Sequence, residues 1–218
     1  IDQDQVKDKK FSFSNQALKD KINILSKLGH FIGEDGETYP VLLDKKIFLL
    51  VGVGAKKDLS LTALRITLRK ALLSAPMDKI KEFELIVNEK SDAIIKAAIE
   101  AISIGMYTWK KYRTASKNDR TIEMKNRKIF FVAEPKKLYD DTIKTCDGFN
   151  WARDLVNDNA DTVTSDYIEK NIKALIKGKK NISVEILNRK EMKMKKLGFI
   201  LAVNQGSNKE PKLIIVDY

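Results

Sequence analysis

The residues whose types and spacing could do chemistry are few in this chain, and the first group lies at 45–60. "KKIFLLVGVGAKKDLS" runs an apolar strand into Gly52 and Gly54 and on toward a helix, which is how a phosphate-gripping loop is built. A dinucleotide fingerprint needs a third glycine, in Gly-x-Gly-x-x-Gly, so that helix and strand can pack closely, but Lys57 stands at that position. A Walker loop needs a Gly-Lys-Ser/Thr ending, and none follows. The stretch therefore reads as a tight strand-to-helix turn.

Nucleophilic or acid–base catalysis needs a nucleophile, a base and an orienting partner that converge. His30 is the sole imidazole and Cys146 the sole thiol, which leaves no triad, no Cys/His zinc cluster and no internal disulfide. Cys146 is expected to be a reduced, buried thiol of a cytosolic protein. Carboxylates are plentiful, but "DGETYP", "YDD" and "NDNAD" read as turns, and no His-Glu-x-x-His motif occurs. In "MYTWKKYRTASKNDR", residues 106–120, aromatics alternate with bases, as a clamp for single-stranded nucleic acid would require. The reading preferred is that Tyr107, Trp109 and Tyr112 close the end of an amphipathic helix against a sheet. No residue is assigned a catalytic, cofactor-binding or metal-binding role.

The whole chain constrains these groups further. Its 218 residues suit one large domain, or one domain and the start of another. At 43% apolar and 33% charged it has the composition of a soluble globular protein, and no apolar run nears the roughly 20 residues of a membrane span. It opens on Ile1 with no basic stretch leading into an apolar one, so the start reads as a cut edge and not as a signal peptide. The net charge of +11 invites a polyanion partner, yet the lysines are spread and interleaved with acids, as in "DQDQVKDKK" and "KSDAIIKAAIEA". That is a solvated surface more than a nucleic-acid footprint, which clusters on one face.

Alternating helix-like and strand-like periodicity predicts an α/β fold. Helices are expected at 15–28, 61–75, 92–113, 137–156 and 166–177, with Ser60 and Ser91 as N-caps for the second and third. Strands are expected at 46–52, 82–87, 128–133, 182–187, 198–203 and 212–217. Unbroken apolar runs such as "IFLLV" and "LIIV" imply central strands covered on both faces. Asp35-Gly36, between the strand-like arms of "FIGEDGETYPVLL", predicts a tight hairpin turn at a sheet edge. Ile94, Ile95, Ala98, Ile99, Ile102 and Met106 share one helix face as a core stripe. Polar turn formers in "LVNDNADTVTSD", residues 155–166, mark the boundary of a second domain.

Four segments in register carry a resemblance: "VGVGAKKDLSLTALRITLRKALLSA", "AIEAISIGMYTWKKYR", "GFNWARDLVNDNADTVTSDYI" and "LGFILAVNQGSNKEPKLIIVDY". In order and spacing they resemble the leucyl aminopeptidase (cytosol aminopeptidase) family over most of the chain. The most specific pieces are "ARDLVN", with Arg153, Asp154 and Asn157 in the domain-junction motif, and "LAVNQGS" followed by "EPKLIIVDY". Where the family usually writes Asn-x-Pro-x-Asn-x-x-Thr-Pro, this chain has Asn157, Asn159, Asp161, Thr164 and Ser165, without either proline.

The resemblance implies a macro-domain-like N-terminal domain, with a mixed sheet flanked by helices, over 1–157, then the first βα segments of a catalytic α/β domain over 158–218. It implies a cytoplasmic, typically hexameric exopeptidase acting on peptide substrates through two divalent metals, zinc or manganese. Such a pair, roughly 3.5 to 4 Å apart, activates water and polarises the scissile carbonyl. The family's ligands lie in Gly-Lys-Gly-x-Thr-Phe-Asp-x-Gly-Gly and Asn-Thr-Asp-Ala-Glu-Gly-Arg, and neither motif occurs in these residues. The expectation is thus a non-catalytic portion of an aminopeptidase that binds no metal itself. A binding module, most plausibly for nucleic acid, is the alternative.

Overall fold

A computed structural model describes residues 1–74, 77, 80, 82–87, 91–112, 114 and 136–218, and residues 128–132 as backbone. It is a mixed α/β chain that divides into two compact units, Ile1–Arg153 and Asp154–Tyr218.

In the first unit, α1 (Gln3–Asp8) and α2 (Gln16–Lys27) precede a hairpin of β1 (Thr38–Leu43) and β2 (Lys46–Val51). Asp2 starts α1 with a reciprocal capping box to Gln5, and Asn15 caps α2 by accepting from the Leu18 N–H at 2.9 Å. The hairpin pairs Thr38 with Val51 through Leu43 with Lys46, so its two-residue turn is Asp44-Lys45, not Asp35-Gly36. Both turn residues have positive φ, 49° and 62°, the backbone of a type I′ turn. Asp35-Gly36 does turn, with Gly36 at φ 81°, but within a loop that leads into β1.

α3 (Leu61–Leu72) and α4 (Asp92–Gly105) lie against each other, Leu64 and Leu68 packing on Ala97, Ala98 and Ala101. The Ser60 hydroxyl caps α3 by accepting from the Ala63 N–H at 3.0 Å, whereas Ser91 stands at the start of α4 without a side-chain cap bond. β3 (Glu82–Ile86) pairs in parallel with β4 (Lys128–Val132), Glu82 opposite Lys128, and α4 lies on the crossover that a parallel pair demands. α5 (Lys136–Asn157) follows.

The second unit carries α6 (Ser165–Ile176), β5 (Ser183–Leu187), α7 (Arg189–Met194), α8 (Gly198–Val203) and β6 (Leu213–Asp217). β5 and β6 are antiparallel, Ser183 opposite Asp217 and Leu187 opposite Leu213. Residues 198–203, expected as a strand, form helix α8. A six-residue apolar run carries no period of its own, and α7 closes just ahead of it in a Schellman-type turn, with Lys196 at φ 57° and the Leu197 N–H bonded to the Met192 carbonyl at 2.9 Å, so that 198–203 is a fresh helix and no continuation of α7.

The described sheets have two strands each, so the apolar runs are not all central strands. β2 is nevertheless covered on both faces. Phe48 and Leu50 join Val6, Phe11, Leu18, Ile22 and Phe31 under α1 and α2, while Leu49 and Val51 turn toward α3 and α4. From Phe48 to Val51 the run is apolar because both sides of the strand are wanted in the interior, while Ile47 at its start is exposed.

Candidate functional site

The Gly52–Gly54 turn is the sequence's best imitation of a ligand loop, and its geometry shows what the glycines are for. A Cβ on Gly52 would stand 2.1 Å from the Glu34 carbonyl oxygen, so only hydrogen fits where the 33–36 loop crosses it. Gly54 adopts φ 78°. The turn's backbone groups are taken by the chain itself. The Gly52 N–H donates to the Glu37 carbonyl at 2.8 Å, the Val53 N–H to the Ile1 carbonyl at 3.1 Å, and the Gly54 N–H to the Gly33 carbonyl at 2.9 Å. The next helical turn offers no anion site either, because the Asp4 carboxylate accepts from the Lys56 N–H at 3.0 Å. A phosphate would find the N–H groups of Gly52, Val53, Gly54 and Lys56 already engaged.

An anion cradle does exist nearby, at 32–34, and it is filled from within. The Glu37 carboxylate accepts from the N–H groups of Ile32, Gly33 and Glu34 at 3.0, 2.8 and 3.1 Å. Successive backbone N–H groups turned to one side make such a nest, and "DGETYP" supplies its anion five residues downstream. The Thr67 hydroxyl of α3, itself buried, donates to the Asp35 carboxylate and ties the same loop to the helix behind it.

Helix α4 ends at Gly105, not near 113, and the reason is the junction motif. A helix leaves its last carbonyls without internal partners and its C-terminus negative. Here the Ser103 carbonyl accepts from the Asn150 amide at 3.0 Å, the Ile104 carbonyl from the Arg153 guanidinium at 2.9 Å, and the Gly105 carbonyl from Arg69 at 3.2 Å. The Arg153 guanidinium also lies 3.8 Å from the centroid of the Tyr107 ring and 5.9 Å from that of Phe149. Tyr107 is thus a stacking surface for Arg153, beyond the helix rather than at its end. Trp109 and Tyr112 meet edge to face at 6.5 Å, and Tyr112 stays exposed. Most of 113–120 lies outside the described residues.

The remaining candidates are scattered. His30 is exposed and tilts over Tyr39 at 6.3 Å. Cys146 is fully buried in α5, and burial, with Glu100 nearby, pushes its thiol above the usual range. At the junction, the Asn159 side chain accepts from the Asp161 N–H at 2.8 Å, and Thr164 caps α6 through the Tyr167 N–H at 3.3 Å. The Ser165 hydroxyl donates to the Glu210 carbonyl at 2.5 Å. These polar groups shape a loop and a helix start without the prolines of the family pattern.

Carboxylates converge at one place in the second unit, and a lysine stands between them. Lys212 bridges Asp166 and Glu169, and Glu169 also holds Lys173 at 2.5 Å. Hydrogen bonds from Lys173 and Lys212 hold the Glu169 carboxyl below its usual range, and Asp166 and Glu169 push the Lys212 ammonium up. Among the described residues no three His, Cys, Asp or Glu side chains stand together as a metal would need.

Comparison with known proteins supplies what the side chains do not. Residues 1–116 match the family described as "Cytosol aminopeptidase family, N-terminal domain", and residues 150–218 match its catalytic domain. A probable cytosol aminopeptidase of Protochlamydia amoebophila is 30% identical over 214 residues, which cover 92% of this chain and 42% of that protein. One from Clostridium perfringens is 26% identical, covering 97% and 45%. Among solved structures, a tomato leucine aminopeptidase mutant superposes with TM-score 0.72 at 20% identity, over 99% of this chain and 46% of the other. The bottromycin maturation enzyme BotP in complex with Mn gives 0.72 at 17%, over 95% and 43%. The chain spans less than half the length of each of these proteins.

Proposed function

Because this chain belongs to the cytosol aminopeptidase family, we propose that it is the N-terminal domain, over 1–157, and the opening of the catalytic domain, over 158–218, of a leucyl-type metallo-aminopeptidase. The whole protein would remove N-terminal residues from peptides, as a cytoplasmic homo-oligomer, typically a hexamer, using two divalent metals, zinc or manganese. The observation that carries this reading is the order of the two matches, N-terminal domain then catalytic domain, along one chain.

The metals find no ligand set among the described residues, since the one cluster of carboxylates is already neutralised by Lys212 and Lys173. No step of the reaction is therefore assigned to a residue of this chain. What these residues do is structural: Gly52 and Gly54 close the N-terminal loop knot, Arg153 finishes α4, and Thr164 starts α6. Among the described residues no helix is long and apolar enough to cross a membrane.

Leucine-p-nitroanilide hydrolysis tests it. The 218-residue chain is expected to give no turnover with added manganese or zinc, and the same chain continued through the two ligand motifs is expected to be active with either metal. Metal-dependent turnover by the pure 218-residue chain would overturn the reading. Salt-resistant, nanomolar binding to a defined DNA sequence would favour the nucleic-acid alternative, because non-specific binding lies near 10⁻⁴ to 10⁻⁶ M and falls steeply with salt.

A further inference from the structure

The second unit concentrates a charge that reads as spread along the whole sequence. Residues 177–196 hold eight bases and two acids, a net +6, against +11 for all 218 residues. Both acids are engaged locally. Glu185 pairs with Lys195 at 3.8 Å, and Glu191 closes the capping box of α7 by accepting from the Asn188 N–H at 2.7 Å. Arg189 is held by Asn204 and Glu210. That leaves Lys177, Lys179, Lys180, Lys190, Lys193 and Lys196, each exposed and, among the described residues, in no ion pair.

The fold brings the two ends of this stretch together. After β5 the chain turns at Asn188, and α7 packs back against the strand. Six helical residues rise about 9 Å, which is the length of about three strand residues. The Lys195–Glu185 pair fixes the result: the end of α7 stands beside the middle of β5, on the exposed face that carries Ser183 and Glu185. Lys193 and Lys196 therefore lie toward the start of β5, where Lys177, Lys179 and Lys180 lead in. Lys190 is three residues before Lys193, so the two are neighbours on the helix surface.

We propose that this lysine face is a docking surface for the phosphate backbone of duplex nucleic acid, bound without regard to base sequence. None of the twenty residues is aromatic, so no base can be stacked, and the one guanidinium is already engaged, so none is free to grip a guanine edge. What remains is charge. An ammonium is a compact point charge with rotatable donors, and each phosphate it neutralises releases condensed counterions. A membrane surface also draws lysines, but a helix that lies in it needs an apolar face, and Met194 is the single exposed large apolar residue of 177–196. Affinity at such a surface is set by charge and salt alone, unlike that of a sequence-reading module. The surface stands whatever reaction the whole protein performs.

Fluorescence anisotropy of the 218-residue chain with two labelled DNA duplexes of unrelated sequence tests it. The two are expected to bind alike, with log affinity falling on log salt at a slope of about −5 for six phosphate contacts. Lys→Gln at all six positions is expected to remove most of that slope, whereas Lys→Gln at Lys7, Lys9, Lys21, Lys27, Lys46 and Lys70, also exposed but in the first unit, moves it by less than about 1. Lys196→Gly separates contact from structure. Lys196 holds φ 57°, where glycine is favoured, so this variant is expected to keep or raise the urea midpoint while lowering the slope by about 1. Should the sixfold variant fail to fold, footprinting of the unaltered chain with an amine-acetylating reagent asks the same question: the duplex is expected to shield the six lysines of 177–196 and to leave the first-unit six reactive. No binding at low salt, equal slope changes from the two sixfold variants, a marked preference for one duplex, or shielding by phosphatidylserine vesicles and not by the duplexes overturns the proposal.

Discussion

In Ile1–Arg153 three apolar clusters hold the elements together, each shared by helices and strands, and Ile22, Phe31 and Ile99 have no exposed surface. In Asp154–Tyr218 the buried hydrophobic residues among those described are Leu187 and Met192, while Phe199 is 93% exposed and Val203 89%. What ties α6 to β6 there is ionic, Lys212 to Asp166 and Glu169, and what ties α7 to the 204–210 loop is polar, Arg189 to Asn204 at 2.6 Å and to Glu210 at 3.5 Å. Ion pairs that water reaches, as it does at Asp166 and Glu210, contribute about 0 to 1 kcal/mol each, against about 1.5 to 3 kcal/mol for burying one large apolar side chain. The first unit is therefore expected to carry most of the stability.

The sharpest way to break that contrast is inside the first unit. Gly52→Ala puts a Cβ 2.1 Å from a backbone oxygen that has no rotamer to escape through, and is expected to cost about 3 kcal/mol or more in urea denaturation. Gly148→Ala, in open space on α5, is the control and is expected to stabilise by about 0.5 to 1 kcal/mol. A neutral Gly52→Ala would mean that the crossing of the two loops is not as tight as the geometry requires.

Next in size is a matched pair across the units. Ile99→Ala is expected to cost about 2 to 5 kcal/mol, and Phe199→Ala to stay within about 0.5 kcal/mol of the parent. Equal losses would show that α8 is covered in solution and remove the contrast. Arg153→Met sits below these, with an expected loss of about 1 to 3 kcal/mol from the unbonded Ile104 carbonyl and the lost stacking on Tyr107. Its readout is faster amide exchange in the last turn of α4, which a general loss of packing would not single out.

The smallest effect separates the units by pH. The Glu169 carboxyl is held low, so its stabilising contribution is present above the ordinary carboxylate range and is lost as pH falls through its folded value. Lys212 is raised, so its contribution is full at neutral pH and is lost only as pH climbs beyond the ordinary lysine range. Amide protection in Ser165–Ile176 and Leu213–Asp217, taken as exchange relative to the intrinsic rate at each pH, is therefore expected to fall on acidification before that of α3 and α4 does. Lys173→Met combined with Lys212→Met should abolish the difference, because Lys173 and then Lys212 hold Glu169 low; if the difference persists, another group sets it.

Much of the fold was legible because local chemistry and tertiary demand agree. Ser60 caps α3 as its hydroxyl suggests, and the stripe from Ile94 to Ile102 on α4 is core as its spacing suggests. The misreadings fall where a local signal has two outlets. Asp35-Gly36 has the residues of a hairpin turn, but Phe31 is buried in the core and Gly33 is bonded to Gly54, so the arm ahead of the turn is not free to pair as a strand. The turn passes to Asp44-Lys45, where Asp44 suits a positive φ but Lys45 is not a residue that advertises one. The end of α4 was misplaced because the groups that stop it, Arg69, Asn150 and Arg153, come from other helices.

By itself the sequence determined the family, through four motifs in register, and the helices and strands whose periodicity and caps are local. It also determined that Gly52 and Gly54 lack the rest of a nucleotide fingerprint. Only the tertiary structure decided what those glycines are for, because the oxygen that excludes a Cβ from Gly52 belongs to Glu34, eighteen positions earlier in the chain. It alone turned residues 198–203 into a helix. The reason is common to these cases: an apolar run or a glycine states what a position tolerates, and which neighbour arrives there is fixed by contacts between segments far apart in sequence.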